Sequence, residues 1–221
     1  ADGGLITFVN PFSVHVARRD PRFLELLGEF DLVYADGVLL AKAATRMSGD
    51  RIPRLSFDGN SLAPEFLAWC SQSGKRVAIV GGVDGVATEA GRVFAEAFDI
   101  DVAYCRNGFF SAPADMQSCI DGVKQARADV LICGMGAPHQ ERFLVQLRGS
   151  GWEGVGISCG GYLDQAARGA IEYYPKLVNK LNARAAYRLL MEPRRLLKRY
   201  TVDYMHFYMQ AALARPGSRS G

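Results

Sequence analysis

The residues best suited to chemistry lie where short apolar runs give way to glycine. Ala35-Asp36-Gly37 sets a carboxylate directly after the run 32–34. A carboxylate there can take a proton from an alcohol within hydrogen-bond reach, or cap the helix that follows. Asn10, after the run 5–9 that contains Thr7, offers an amide to a sugar hydroxyl or closes an Asx-turn. Gly81, Gly82 and Gly85 follow the run 76–80 and let backbone approach a ligand, with the next helix presenting its first amides to phosphate. Asn107-Gly108-Phe109 marks another turn. The most specific signal is Gly134-Met135-Gly136-Ala137-Pro138-His139-Gln140-Glu141, a double-glycine turn with a proline near a helix start and a polar cluster. His139 suits a base, a phosphate contact, or a capping or solvated position, and Gln140 and Glu141 either hold hydroxyls or steady the first helical turn. Gly160-Gly161 with Asp164 repeats the pattern after the run 154–158, Asp164 again facing a ligand or capping a helix.

These turns need strands to hold them on one edge. Apolar, β-rich runs at 5–9, 32–34, 76–80, 102–104, 130–133 and 154–158 predict strands. Helical patterns fall at 23–27, 38–47, 61–71, 86–97, 116–126 and 140–147, with Ser61 as N-cap of its helix and 51–59 as loop. This alternation specifies an α/β fold: a Rossmann-like, mainly parallel sheet with helices on both faces. Ligands of such sheets bind beyond the carboxyl ends of the strands, where the glycine turns lie. A dinucleotide-binding dehydrogenase is disfavoured, because the strand after the Gly81 turn ends in Cys105-Arg106 where a ribose-binding acid is expected.

A chain of 221 residues with net charge +3 supports one substantial core. The charge is uneven: 176–199 carries +7, leaving the remainder at −4. We therefore expect a catalytic domain over 1–175, a basic helical appendage over 176–212 that meets something anionic, and a disordered tail over 213–221. Arg184, Arg188, Arg195 and Arg199 would share one face of a continuous helix, which Pro193 breaks. Guanidinium groups suit diphosphates, and the interleaved tyrosines and leucines suit a lipid surface or a subunit interface. No nucleic-acid-reading motif accompanies them, so no nucleic-acid partner is expected. Mean hydropathy is zero and no run approaches the roughly 20 apolar residues of a spanning helix. No secretory signal is recognised after Ala1. The five cysteines, odd in number and never in a C-x-x-C pair, fit reduced thiols rather than a zinc site or disulfide framework. Asp99-Ile100-Asp101 precedes a strand and reads as surface, so no metal is expected there.

Taken together, Ala35-Asp36-Gly37, Val80-Gly81-Gly82 with Gly85-Val86, Asn107-Gly108-Phe109-Phe110, the run from Gly134 to Glu141, and Tyr187-Arg188-Leu189-Leu190-Met191-Glu192-Pro193-Arg194-Arg195 resemble the WecG/TagA/CpsF family, glycosyltransferase family 26. The resemblance covers nearly the whole chain. It implies a metal-independent, inverting transferase without a cofactor. Such an enzyme moves a hexose from a UDP-sugar to a polyprenyl-diphosphate-linked sugar at the inner face of the bacterial cytoplasmic membrane, for surface polysaccharide or cell-wall polymer. The donor stays open between N-acetylmannosamine, its uronic acid and glucose-type sugars. Asp36 matches the family's general base. The donor-binding candidates are Thr7, Asn10, Gly81, Gly82, Gly85, Gly108, Phe109, Gly134, Gly136, Pro138, His139, Gln140, Glu141, Gly160 and Asp164. Arg188, Arg195 and Arg199 match the region that reaches the lipid diphosphate. The chain departs from the family in three places. Phe8 stands where members carry the threonine of Thr-x-Asn, with Thr7 one position off. Ser56-Phe57-Asp58-Gly59-Asn60-Ser61 replaces Gly-x-Asp-Leu, and Ala183-Arg184-Ala185-Ala186 precedes Tyr187. The competing class is a non-catalytic adaptor of polysaccharide assembly that binds nucleotide sugar. A homo-oligomer is compatible with the aromatic appendage.

Overall fold

The structure is a computed structural model that describes residues 3–169, 204 and 207–209. Six short strands, β1 (Leu5–Val9), β2 (Leu32–Ala35), β3 (Arg76–Gly81), β4 (Asp101–Arg106), β5 (Val130–Gly134) and β6 (Val155–Ser158), form one sheet in the order β2-β1-β6-β5-β3-β4. Every pairing is parallel. Around the sheet lie α1 (Pro11–Arg19), α2 (Arg22–Gly28), α3 (Val38–Ser48), α4 (Leu62–Gln72), α5 (Val86–Phe98), α6 (Pro113–Gln125), α7 (His139–Gly149) and α8 (Tyr162–Ala166).

The central strands are apolar because both their faces are covered. On one face Val77, Ile79, Val130 and Ile132 pack with Leu67 of α4, Phe94 of α5 and Leu163 of α8. On the other, Ala78, Val80, Leu131 and Cys133 pack with Ile120 of α6 and with Phe143, Leu144 and Leu147 of α7. Each fully buried leucine or phenylalanine contributes roughly 1.5–3 kcal/mol relative to exposure.

The connections reverse between β3 and β5. The chain leaves β3 through α5 toward β4, and leaves β5 through α7 toward β6, on the opposite face and in the opposite direction. A crevice opens at such a point, beyond the carboxyl ends of the two strands. Its floor is the pairing of Gly81 with Gly134, where a Cβ on Gly81 would stand 2.3 Å from the Gly134 carbonyl oxygen. No side chain fits that approach.

The expected strands form, and three local expectations change. Helix α1 occupies a stretch assigned no element. It forms because Asn10 Oδ1 accepts from the Phe12 and Ser13 amides while Ser13 Oγ accepts from the Asn10 amide. Helix α6 starts at Pro113 rather than at 116, since Asp115 Oδ2 accepts from the Ser111 and Ala112 amides and proline suits a first turn. Ser61 does not cap α4: its hydroxyl accepts from the Ser56 amide, and the Asp58 carbonyl takes the Ser61 and Ala63 amides. The appendage and tail lie outside the described residues, apart from buried Tyr204 and Phe207 and exposed Tyr208 and Met209. Among the described residues no helix is long and apolar enough to cross a membrane. The five cysteines are free, and burial pushes the Cys70 thiol up to about 12.

Candidate active site

Asp36 sits just past the end of β2, and its amide donates to the Val9 carbonyl at 2.7 Å, which fixes it beside the β1 turn. The N-cap of α3 is Gly37, with no side-chain cap bond, so Asp36 does not fill the capping role open to it in the sequence. Its carboxylate is about a third exposed and lies 3.9 Å from Arg54 Nη2.

Arg54 is the residue that sequence reasoning missed. The segment 51–59 reads as loop, yet Ala35 and Arg54 form a parallel bridge and the Leu55 amide donates to the Ala35 carbonyl. One residue of extra strand thus brings the guanidinium beside Asp36. Arg54 Nη2 also donates to Ser56 Oγ at 2.7 Å and reaches Asp58 Oδ2 at 3.4 Å, while Ser56 Oγ donates to the same Asp58 oxygen at 2.7 Å. Asp58 Oδ1 accepts from the Asn60 amide. The cluster is a partly exposed cation held between two carboxylates. Nearby, burial and the Asp58 charge push the Tyr162 phenol well above its ordinary value.

The second group of candidates turns inward. Thr7, Gln140, Glu141 and Ser158 are all buried. Thr7 Oγ1 donates to Glu141 Oε1 at 3.0 Å and lies 2.8 Å from Ser158 Oγ. Gln140 Nε2 donates to Glu141 Oε1 at 2.9 Å, and Gln140 Oε1 accepts from the Gly136 and Gly160 amides, each at 3.2 Å. Burial raises the Glu141 carboxyl above its ordinary value. Asn10 likewise uses its side-chain oxygen to cap α1.

The glycine turns come together around the crevice, and several of their amides are engaged within the protein. Gly82 donates to the Gly134 carbonyl and Gly108 to the Gly82 carbonyl, which stitches the turns after β3, β4 and β5 together. Gly136 and Gly160 donate to Gln140. The starts of two helices border the crevice beside these turns. Gly85 is the N-cap of α5, and Pro138 that of α7, which begins with exposed His139; neither residue supplies a side-chain cap bond. The positive dipole end of each helix lies at the crevice edge, where the Val86 amide donates to the Val83 carbonyl and the His139 and Gln140 amides to the Gly136 carbonyl. Asp164 lies in the first turn of α8, and Phe109 stands 67% exposed on the rim, next to Arg106 packed 4.6 Å over the Phe110 ring. Arg188, Arg195 and Arg199 lie outside the described residues.

Parallel strands are spaced about 4.8 Å apart, so the three strand steps from β2 to β5 put Asp36 roughly 14 Å along the edge from the crevice. The arrangement joins a glycine-lined crevice to a carboxylate with a cation beside it.

Comparison with known proteins agrees with that chemistry. The profile of the glycosyl transferase WecG/TagA/CpsF family matches residues 1–221. The chain is 30% identical over 208 residues to a UDP-Gal:alpha-D-GlcNAc-diphosphoundecaprenol beta-1,4-galactosyltransferase of Shigella boydii, a match covering 94% of this chain and 85% of that protein.

Proposed function

We propose, from the premise that this chain belongs to the WecG/TagA/CpsF family of glycosyltransferases, that it transfers a hexose from a UDP-sugar to a polyprenyl-diphosphate-linked sugar with inversion. The observation that carries the reading is the Asp36–Arg54 pair on the same sheet edge as the β3–β5 crevice. A nucleotide diphosphate seated over the crevice meets the starts of α5 and α7, and its sugar extends along the edge toward β2.

In this reading Asp36 accepts the proton of the acceptor hydroxyl as that oxygen attacks the anomeric carbon, and UDP departs from the opposite side. The new C–O bond forms as the bond to phosphate oxygen breaks, so configuration inverts in one step. The relative's name specifies a beta linkage, the outcome of inversion at an alpha-linked donor. Arg54 sets a positive charge 3.9 Å from the Asp36 carboxylate. Negative charge growing on the leaving diphosphate is met by the positive dipole ends of α5 and α7, with the appendage arginines Arg188, Arg195 and Arg199 serving the lipid diphosphate. The +7 charge of 176–199 supports docking at an anionic membrane face.

The test is UDP release in the presence of a chelator, with a panel of UDP-hexoses and a short-chain prenyl-diphosphate sugar. UDP-galactose enters the panel because the relative uses UDP-Gal. Acceptor-dependent release with one donor is the expected result and names the sugar. UDP binding without release for any donor would overturn the reading.

A further inference from the structure

The mechanism above makes no use of Glu141, an acid buried to 1% exposure beneath the crevice. Its partners come from distant parts of the chain, Thr7 on β1 and, through Thr7, Ser158 on β6. Proton counting orders the whole set. Thr7 has one hydroxyl proton and gives it to Glu141 Oε1, so in the Thr7–Ser158 pair Ser158 must be the donor. Ser158 Oγ in turn accepts from the Phe8 amide at 3.3 Å. From the other side Gln140 Nε2 donates to the same Glu141 oxygen. Every donor in the set thus runs toward Glu141 Oε1, and Glu141 Oε2 is buried with no hydrogen-bond partner among the described residues.

This direction matters because a glutamine side chain can lie either way round. With its Nε2 committed to Glu141, Gln140 turns its oxygen to the Gly136 and Gly160 amides and clasps the turns after β5 and β6 with one atom. The reversed amide would set N–H against two N–H groups and an oxygen against the Glu141 acceptor, losing three hydrogen bonds, one buried and two partly buried. We propose that Glu141 is a positioning residue for glycosyl transfer: as an acceptor it fixes the orientation of the Gln140 amide, which holds the Gly136 and Gly160 turns in place beside the crevice. The inference rests on the proposed seat of the nucleotide in that crevice. It assigns Glu141 and Gln140 to shaping the donor site rather than touching the donor.

The full-length chain is tested in two ways, by hydrogen exchange of individual glycine amides and by separate determination of donor KM and kcat. In Glu141→Ala, exchange at Gly136 and Gly160 should quicken about tenfold, the equivalent of one lost hydrogen bond, while Gly82, which donates to Gly134, is unchanged. Donor KM should rise by about the same factor with kcat changed less than about threefold. Glu141→Gln, which keeps an acceptor oxygen in place, should recover most of both losses. Gln140→Ala gives the same acceleration at both amides, and decides the matter if Glu141→Ala does not fold. Unchanged exchange at Gly136 and Gly160, a fall in kcat without a change in donor KM, or a glutamine variant no better than alanine would each overturn the proposal. If the wild-type chain released no UDP from any donor, the proposed function would fail with the catalytic half of this inference, whereas the exchange result decides the clasp by itself.

Discussion

Asp36 and Glu141 stand at one edge of the same sheet, and their surroundings differ in every respect that sets what a carboxylate can do. Asp36 is about a third exposed, with the Arg54 guanidinium 3.9 Å away. Glu141 is buried among a threonine, a serine and a glutamine, with no cation in an ion pair to it among the described residues. A neighbouring positive charge favours the ionised form and partial exposure gives an alcohol access, so Asp36 is equipped to take a proton. Burial without a cation disfavours charge, so Glu141 is equipped to accept hydrogen bonds and stay put. The same functional group thus serves chemistry in one place and architecture in the other, and the difference lies in what surrounds it.

The contrast can be broken at its strongest point first. Asp36→Asn should lower turnover by about 10²–10⁴ while UDP affinity, measured by calorimetry, stays near wild type. Arg54→Ala leaves Asp36 and Asp58 without the shared cation and should lower turnover by about 10–100-fold, corresponding to loss of the charge beside Asp36 and of the hydrogen bonds to Ser56 and Asp58 that hold it there; steady-state kinetics check this, and a lysine variant should recover only part, lacking the planar fork. On the buried side, Ser158→Ala should appear in stability rather than kcat, costing about 1–3 kcal/mol by denaturant unfolding because the Phe8 amide and Thr7 lose their partner.

The smallest effect is a pH dependence. The folded value of Glu141 lies above its ordinary value of 4.5. Stability from holding it neutral is therefore complete below the unfolded value and is lost as pH rises through the higher folded value. Wild-type stability relative to Glu141→Gln should fall across that interval and level off above it, as measured by denaturant unfolding at a series of pH values. A difference that grew in the opposite direction would mean that Glu141 is charged in the folded state.

Much of the frame was legible because its signals are local. Runs such as 76–80 and 130–133 are apolar on both faces, and each ends in glycine, as a buried parallel strand at a ligand edge requires. The edge position of Asp36 followed from the same logic. Helix α1 was not legible, since Asn10 offered either a cap or a ligand contact and only the fold shows that Ser13 completes the box. Arg54 was hidden by a proline-containing stretch that looks like loop until it bridges to Ala35. The inward turn of Gln140 and Glu141 was equally hidden. Thr7, the partner of Glu141, lies 134 residues from it, and it is the β1–β6 pairing that sets Thr7 and Ser158 side by side beneath α7. Periodicity along α7 alone cannot distinguish a first-turn glutamate at the surface from one pressed against that pair.

The central claim is that proton transfer belongs to Asp36 and positioning to Glu141. The most direct measurement places Asp36→Asn and Glu141→Gln side by side in one acceptor-dependent UDP-release assay at saturating donor. The account predicts a kcat loss of about 10²–10⁴ for Asp36→Asn and less than about tenfold for Glu141→Gln. Equal losses, or the larger loss at Glu141, would contradict it.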